Sequence, residues 1–247
     1  MGSVLWNSFL TNWYLFLAAA VIAYLLGSIN PAVIVTRIVT KGKKDIRDMG
    51  SGNAGFTNVL RSVGKVPAVI TIVCDALKCI AAVFIGYFLF AWFAVLPDRG
   101  EWFEHCYLVC VKFYSGVFCM IGHSFPIFFR FKGGKGIVTA AALILASDWR
   151  AFLLIFGTFL VVFIITRIIS LASIVGSVLY APHTFLITFV FDHLLTQPCL
   201  WYVIVTTTFS LFIGIFAVVK HKDNIKRLRN GEEKKIRAAK NEPEKST

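Results

Sequence analysis

Long apolar runs separated by short basic turns leave this chain few folds to choose from. Runs at residues 13–36, 66–95, 106–129, 151–166, 168–191 and 199–219 carry almost no charge. At ~1.5 Å per residue each crosses, or nearly crosses, a hydrocarbon layer of ~30 Å. A shorter run at 136–147 spans only with help from its flanks. Barrel strands would alternate apolar and polar residues over ~10-residue segments, and these runs are continuous. The sequence predicts an all-α integral membrane protein of seven transmembrane helices, one domain over 1–247, with residues 1–12 as a short lead and 220–247 as a charged tail. Composition agrees: 57% of residues are hydrophobic and 15% charged, against ~45–50% and ~25% in a soluble domain. The first basic residue is Arg37. With no basic segment ahead of it, the first run is expected to stay as a membrane helix rather than leave as a signal peptide.

Charge placement predicts the orientation. Lys and Arg concentrate in segments 36–65, 130–136, 167 and 220–247, while the alternate side holds only Arg99 and Arg150. Cytoplasmic loops carry the positive excess, so the N-terminus is expected outside and the C-terminus inside. The net charge of +12 lies in turns between lipid-soluble segments rather than on a solvated face. It therefore points to topology and phosphate binding, not to nucleic acid. The six cysteines show no metal-ligand spacing and read as small buried hydrophobes.

Polar chemistry is confined to a few places. Gly50-Ser51-Gly52-Asn53-Ala54-Gly55-Phe56-Thr57-Asn58-Val59-Leu60-Arg61 gathers three glycines, hydroxyls, amides and an arginine. Glycines let backbone N–H groups converge, and a guanidinium suits phosphate oxygens. The G-x-G-x-x-G string lacks the strand, helix and distant acid of a dinucleotide fold. Phe131-Lys132-Gly133-Gly134-Lys135-Gly136 is a second candidate anion nest; it is not a Walker A loop, since Gly follows Lys135. Asp75 and Lys78 share a helix face within a span, where ionisable groups are costly and line a polar interior or pair with each other. His123 lies near the end of the third run. His221, Asn224 and Arg227 follow the last span at helical spacing, in a segment whose remaining charge suits anionic lipid.

Taken together, these residues resemble the PlsY family, bacterial membrane glycerol-3-phosphate acyltransferases that use acyl phosphate. The matching text is Tyr24-Leu-Leu-Gly-Ser28-Ile, Asp45-Ile-Arg47, the 50–61 stretch, Asp75-Ala-Leu-Lys78, Gly122-His123-Ser-Phe-Pro with 131–136, and His221 with Asn224, Arg227 and Leu228. Departures occur at Ser28-Ile29-Asn30-Pro31, where the family has Ser-Ile-Pro, at Cys79 and at Phe56. The 96–106 loop looks longer than usual. The resemblance implies a multi-pass protein of the bacterial inner membrane with its site on the cytoplasmic face. It implies acyl transfer from acyl phosphate to the 1-hydroxyl of glycerol 3-phosphate, giving lysophosphatidic acid and phosphate, with no cofactor and no metal. It puts catalysis on Ser51, Arg61, Lys135, His221 and Asn224. Phosphate binding falls to Gly50, Gly52, Asn53, Gly55, Thr57, Asn58, Lys132, Gly133 and Gly134, with Ser28, Arg47, Asp75, Lys78 and His123 in support.

The residues constrain mechanism further. No His is followed five positions later by Asp, which excludes the H-x-x-x-x-D acyltransferase mechanism. Ser51 lies outside a G-x-S-x-G elbow, so a covalent acyl-serine is disfavoured. Either His221 or the donor's own phosphate takes the hydroxyl proton, and the phosphate is preferred. The rival reading is a transporter for a phosphorylated anion, which would place its site near mid-bilayer with access from both sides.

Overall fold

The computed structural model describes residues 2–195 and 199–235, and among these all regular structure is helical. The helices are α1 (Gly2–Ser28), α2 (Pro31–Val39), α3 (Phe56–Ser62), α4 (Lys65–Phe93), α5 (Glu101–Ser124), α6 (Ile137–Ser147), α7 (Trp149–Thr166), α8 (Ile169–Leu186), α9 (Leu200–Lys220) and α10 (Lys222–Arg229). Among the described residues, six segments are long and apolar enough to cross a membrane: Gly2–Val39, Lys65–Phe93, Glu101–Phe129, Trp149–Thr166, Ile169–Leu194 and Leu200–Lys220. Helix α6, with 11 residues, is shorter.

Three boundaries differ from the sequence reading. Helix α1 starts at Gly2, so residues 2–12 are helical rather than a lead. It kinks at Asn12 (φ −111°, ψ 16°). There the Asn12 amide donates to Ser8 O (2.8 Å) and Val95 O (3.0 Å) and accepts from Val95 N–H (2.9 Å). These bonds fasten the segment after α4 to the first helix. Next, the run at 13–36 is two helices. Asn30 accepts from Val33 N–H at 3.2 Å and caps α2, with Pro31 in its first turn, where a missing N–H costs nothing. Finally, α8 continues as a π-helix over Ile187–Leu194, so Asp192 is helical rather than in a loop. The rest of that predicted loop, 196–198, and the tail beyond residue 235 lie outside the described residues.

Helix α5 is the centre, packed on α1, α4, α6 and α9. Lipid tails are as apolar as leucine, so helix association relies on close packing of small residues. A Cβ on Gly27 would lie 2.1 Å from Cys119 O, and one on Gly122 2.2 Å from Tyr24 O, so α1 and α5 touch backbone to backbone. Helix α7 is peripheral; Ala151 is its only buried residue. Large side chains such as Trp92 and Ile165 face outward, as lipid requires.

Candidate active site

The 45–62 loop is shaped from within. Asp45 caps a short 3₁₀ turn, Ile46–Asp48, and pairs with Arg47 (2.8 Å) and Arg37 (2.9 Å). The Arg47 side chain holds the Asp45 carboxyl well below the usual range. Arg47 also donates to Phe129 O at 2.8 Å, tying this loop to the one after α5. Buried Asn58 donates to Ile46 O (3.1 Å) and Met49 O (2.9 Å) and accepts from Ser51 N–H (3.0 Å). Both its amide hydrogens are thus spent inside the loop. Gly50 has φ +57°, and a Cβ there would meet Asn58 Oδ1 at 2.3 Å, so only glycine fits.

Part of the expected backbone cradle is spent within the loops themselves. The N–H of Ser51 goes to Asn58, that of Gly52 to Met49 O (2.9 Å) and that of Gly55 to Asn53 O (3.0 Å). The N–H of Gly134 goes to His123 O at 3.1 Å. Asn58, Gly52, Gly55 and Gly134 therefore use these groups to shape the loops.

The second glycine loop rests on a buried polar hub between α4 and α5. Lys78 Nζ lies 2.8 Å from Asp75 Oδ1, 3.0 Å from His123 Nδ1 and 2.6 Å from Ile29 O. His123 Nδ1 is also 3.1 Å from Asp75 Oδ1. A Cβ on Gly134 would lie 2.2 Å from His123 Nε2 and 2.8 Å from Ala54 O, and one on Gly133 2.0 Å from His123 O. The glycines let this loop lie flat against His123 and against the first loop, which delivers Lys135 inward. Ser28 stands beside this arrangement: its hydroxyl donates to Tyr24 O (2.8 Å) and accepts from Ile127 N–H (3.4 Å).

Lys135 Nζ donates to Asn224 Oδ1 on α10. The Asn224 amide donates to Glu233 Oε1 at 2.8 Å, and Glu233 also receives Ser170 Oγ–H (2.8 Å) and Arg227 Nε–H (2.6 Å). Burial lowers Lys135 to about 8. Burial raises the Glu233 carboxyl, but the bonds from Ser170, Arg227 and Asn224 outweigh that and hold it below its ordinary value. His221 Nδ1 lies 2.7 Å from Ala217 O. A carbonyl can only accept, so Nδ1 carries the proton and Nε2 is the acceptor. Burial lowers His221 to about 4. Arg61 donates to Lys234 O at 3.2 Å; it has no carboxylate partner among the described residues.

Two cavities meet on this cluster. One, of about 560 Å³, is walled by apolar side chains of α6, α7 and α8, among them Ile144, Phe156 and Phe159, and reaches Arg61, His221 and Asn224. The other, of about 810 Å³, is faced by Lys220, Lys222 and Lys226, with Asp223 and Glu232 among them. Ser51, Asn53, Lys135 and Arg227 line both.

The predicted catalytic residues Ser51, Arg61, Lys135, His221 and Asn224 thus come together around one space. Thr57 lines the apolar cavity and Gly133 the other. Lys132 is exposed and lines neither. Sequence reasoning missed Glu233, Ser170 and Lys220. Glu233 was hidden in a charged tail, although an acid in a basic segment was the available signal. Ser170 carried no signal beyond being polar in an apolar run.

A family model for glycerol-3-phosphate acyltransferase matches residues 17–231. A glycerol-3-phosphate acyltransferase of Francisella tularensis subsp. novicida is 39% identical over 216 residues, covering 87% of this chain and 90% of that protein. One from Nostoc sp. is 37% identical over 225 residues, covering 89% and 91%. The crystal structure of PlsY, an integral membrane glycerol 3-phosphate acyltransferase, superposes in its glycerol 3-phosphate form with a TM-score of 0.69 at 31% identity, covering 90% of this chain and 96% of that one. Its lysophosphatidic acid form gives 0.67 at 30%, covering 90% and 95%. With the family match running from the first helix to the turn after α10 and the same fold in PlsY, this chain belongs to the PlsY family of integral membrane glycerol-3-phosphate acyltransferases.

Proposed function

We propose that the chain transfers a fatty acyl group from acyl phosphate to the 1-hydroxyl of glycerol 3-phosphate, releasing 1-acyl-glycerol 3-phosphate and phosphate. The observation that carries this reading is the shared boundary of the two cavities. A water-soluble phosphate ester enters by the cleft, where cations outnumber acids five to two, the acyl tail occupies the apolar cavity, and Ser51, Asn53, Lys135 and Arg227 stand where the two meet. Acyl phosphate is already activated, so no cofactor is needed.

The glycerol oxygen attacks the acyl carbonyl carbon; the ester bond forms and the bond from that carbon to the phosphate oxygen breaks. Arg61 and Lys135 neutralise phosphate oxygens through charge-assisted bonds. The Ser51 hydroxyl and the second Asn224 N–H are donors for the developing oxyanion. His221 Nε2 accepts the hydroxyl's hydrogen bond and orients it. With a pKa of about 4, His221 is too weak a base to keep the proton at neutral pH. The departing phosphate, which gains a negative charge as its bond to the acyl carbon breaks, takes it.

The excess of basic residues in the site-bearing loops supports a cytoplasmic site, with the N-terminus outside and the C-terminus inside a bacterial inner membrane. Against a transporter stands the gathering of all these groups at one end of the bundle. The test is purified protein in lipid with both substrates: lysophosphatidic acid and phosphate should appear together. Transfer from acyl-CoA but not from acyl phosphate would sink the donor assignment. For topology, a cysteine at Asp98 should react with an impermeant label from outside intact cells.

A further inference from the structure

Ser170 marks the level of the reacting groups on α8, because its hydroxyl donates to the carboxylate that also holds Asn224. From there α8 lines the apolar cavity through Ser173, Gly176 and Tyr180. At ~1.5 Å per residue Tyr180 lies ~15 Å farther along the helix. On α6 the lining ends at Ile144, ~12 Å beyond Gly136 by the same rise. On α7 it ends at Phe152, in the first turn. Just past these residues the α6–α7 turn is clamped to the end of α8, since Arg150 pairs with Asp148 (2.8 Å) and Asp192 (2.7 Å). The cavity therefore has a fixed floor.

Gly176 sits one turn above Tyr180. A Cβ there would meet only Ile155, at 3.6 Å for Cγ2 and 3.9 Å for the carbonyl. Helix packing thus does not require a glycine at this position, and any longer side chain would project into the cavity. Gly214, also on the wall, differs: its Cβ would lie 2.4 Å from Ser177 O, so the approach of α8 and α9 requires it.

We infer that Gly176, with Tyr180 as the floor beneath it, sets the length of acyl chain the enzyme accepts. This rests on the acyl-transfer reading above. Methylenes beyond the floor must displace Tyr180 or leave the slot sideways, and an apolar pocket discriminates by roughly tenfold or more per misfitting methylene.

The test uses the full chain in lipid nanodiscs with donors of graded chain length, offered as acyl phosphates and separately as acyl-CoA. The readout is the ratio of kcat/KM for long over short chains. Gly176→Val should lower this ratio at least tenfold, Gly176→Ala should lower it less, and Tyr180→Ala should raise it. Ratios unchanged in Gly176→Val and Tyr180→Ala overturn the inference. If Gly176→Val fails to fold, Gly176→Ala and Tyr180→Ala decide. If the unmodified chain uses acyl-CoA alone, the donor assignment falls while the ratio with acyl-CoA still decides the gauge. No transfer from either donor overturns both.

Discussion

Lys135, in the loop before α6, donates its ammonium hydrogen to the side-chain oxygen of Asn224 on α10, although 89 residues separate them. Glu233 fixes the direction of that bond by accepting from the Asn224 amide nitrogen at 2.8 Å. The amide cannot flip without setting its oxygen against the carboxylate and its N–H against the ammonium. Asn224→Asp replaces the donor facing Glu233 with a second anion. The expected result is a fall in kcat of about 10²–10³, the scale for losing one preorganised donor. Ser51→Ala and Lys135→Ala should each lose most activity while still inserting in the membrane. Steady-state assays with both substrates check this, and near-normal turnover in any of the three removes that residue from the mechanism.

The pH profile separates the two candidate bases. In the proposed mechanism Lys135 must be charged to hold phosphate, and burial lowers it to about 8. Activity should therefore decline as pH rises through about 8. In Lys135→Arg that alkaline limb should vanish, whatever activity remains, because a guanidinium stays charged. His221, lowered to about 4, is neutral throughout the range above that value. An acid limb near pH 6 therefore belongs to the phosphate and should persist in His221→Gln. If it disappears in that variant, His221 is the base.

Asp75 and Lys78 are both buried within α4, 2.8 Å apart. Removing one partner leaves an uncompensated charge, which typically costs ~3–5 kcal/mol, whereas replacing both with apolar residues is often neutral. Asp75→Leu alone should lower the melting temperature in detergent sharply. The double variant Asp75→Leu with Lys78→Met should recover most of it. Because His123 loses its carboxylate in both, activity should recover less than stability. Equal destabilisation in single and double variants would falsify the pair's role as a self-compensating unit.

How much of this was legible in the chain depends on the kind of signal. Apolar runs announce membrane helices because water expels them. The π-helical extension to Leu194 was invisible because periodicity does not register an i→i+5 shift. Asp192, which pairs with Arg150, was read as the start of a loop because it is the charged residue that ends the apolar run. Ser51, Lys135, His221 and Asn224 were legible because polar groups are conspicuous in a chain of this composition. Their mutual arrangement was not, since the Lys135–Asn224 contact joins distant segments. The glycines misled in one respect. Gly134 was read as part of an anion nest, while the structure spends its N–H on His123. Glycine serves both close approach and anion binding, and sequence does not separate the two.

Gly134→Ala tests which of those uses matters. The added methyl would lie 2.2 Å from His123 Nε2 and 2.8 Å from the backbone oxygen of Ala54. The backbone contact cannot yield by a rotamer change, so the loop must move outward. Overpacking of this kind costs typically ~1–3 kcal/mol. Lys135 moves with the loop, so kcat should fall at least tenfold while the helical bundle stays folded by circular dichroism. Unchanged kcat with only a raised KM for glycerol 3-phosphate would favour direct phosphate binding by the Gly134 backbone.

Lys220 supplies the remaining prediction. It ends α9 with its ammonium 4.3 Å from the Phe125 ring centroid and 3.4 Å from Ser124 O. It faces the lysine-lined cleft and has no carboxylate partner among the described residues. Arg227 lines the same cleft but is already paired with Glu233 at 2.6 Å. An unneutralised cation beside a water-facing cleft attracts a dianion without touching the reacting bond, so its contribution is uniform binding. Lys220→Met, which keeps the apolar stem against Phe125, should raise KM for glycerol 3-phosphate several-fold with little change in kcat. Lys220→Arg should restore it. The effect should shrink as ionic strength rises, because exposed charges are screened over ~10 Å at 0.1 M salt. A kcat loss matching that of Lys135→Ala would instead place Lys220 against the reacting phosphate, within the catalytic set rather than at its entrance.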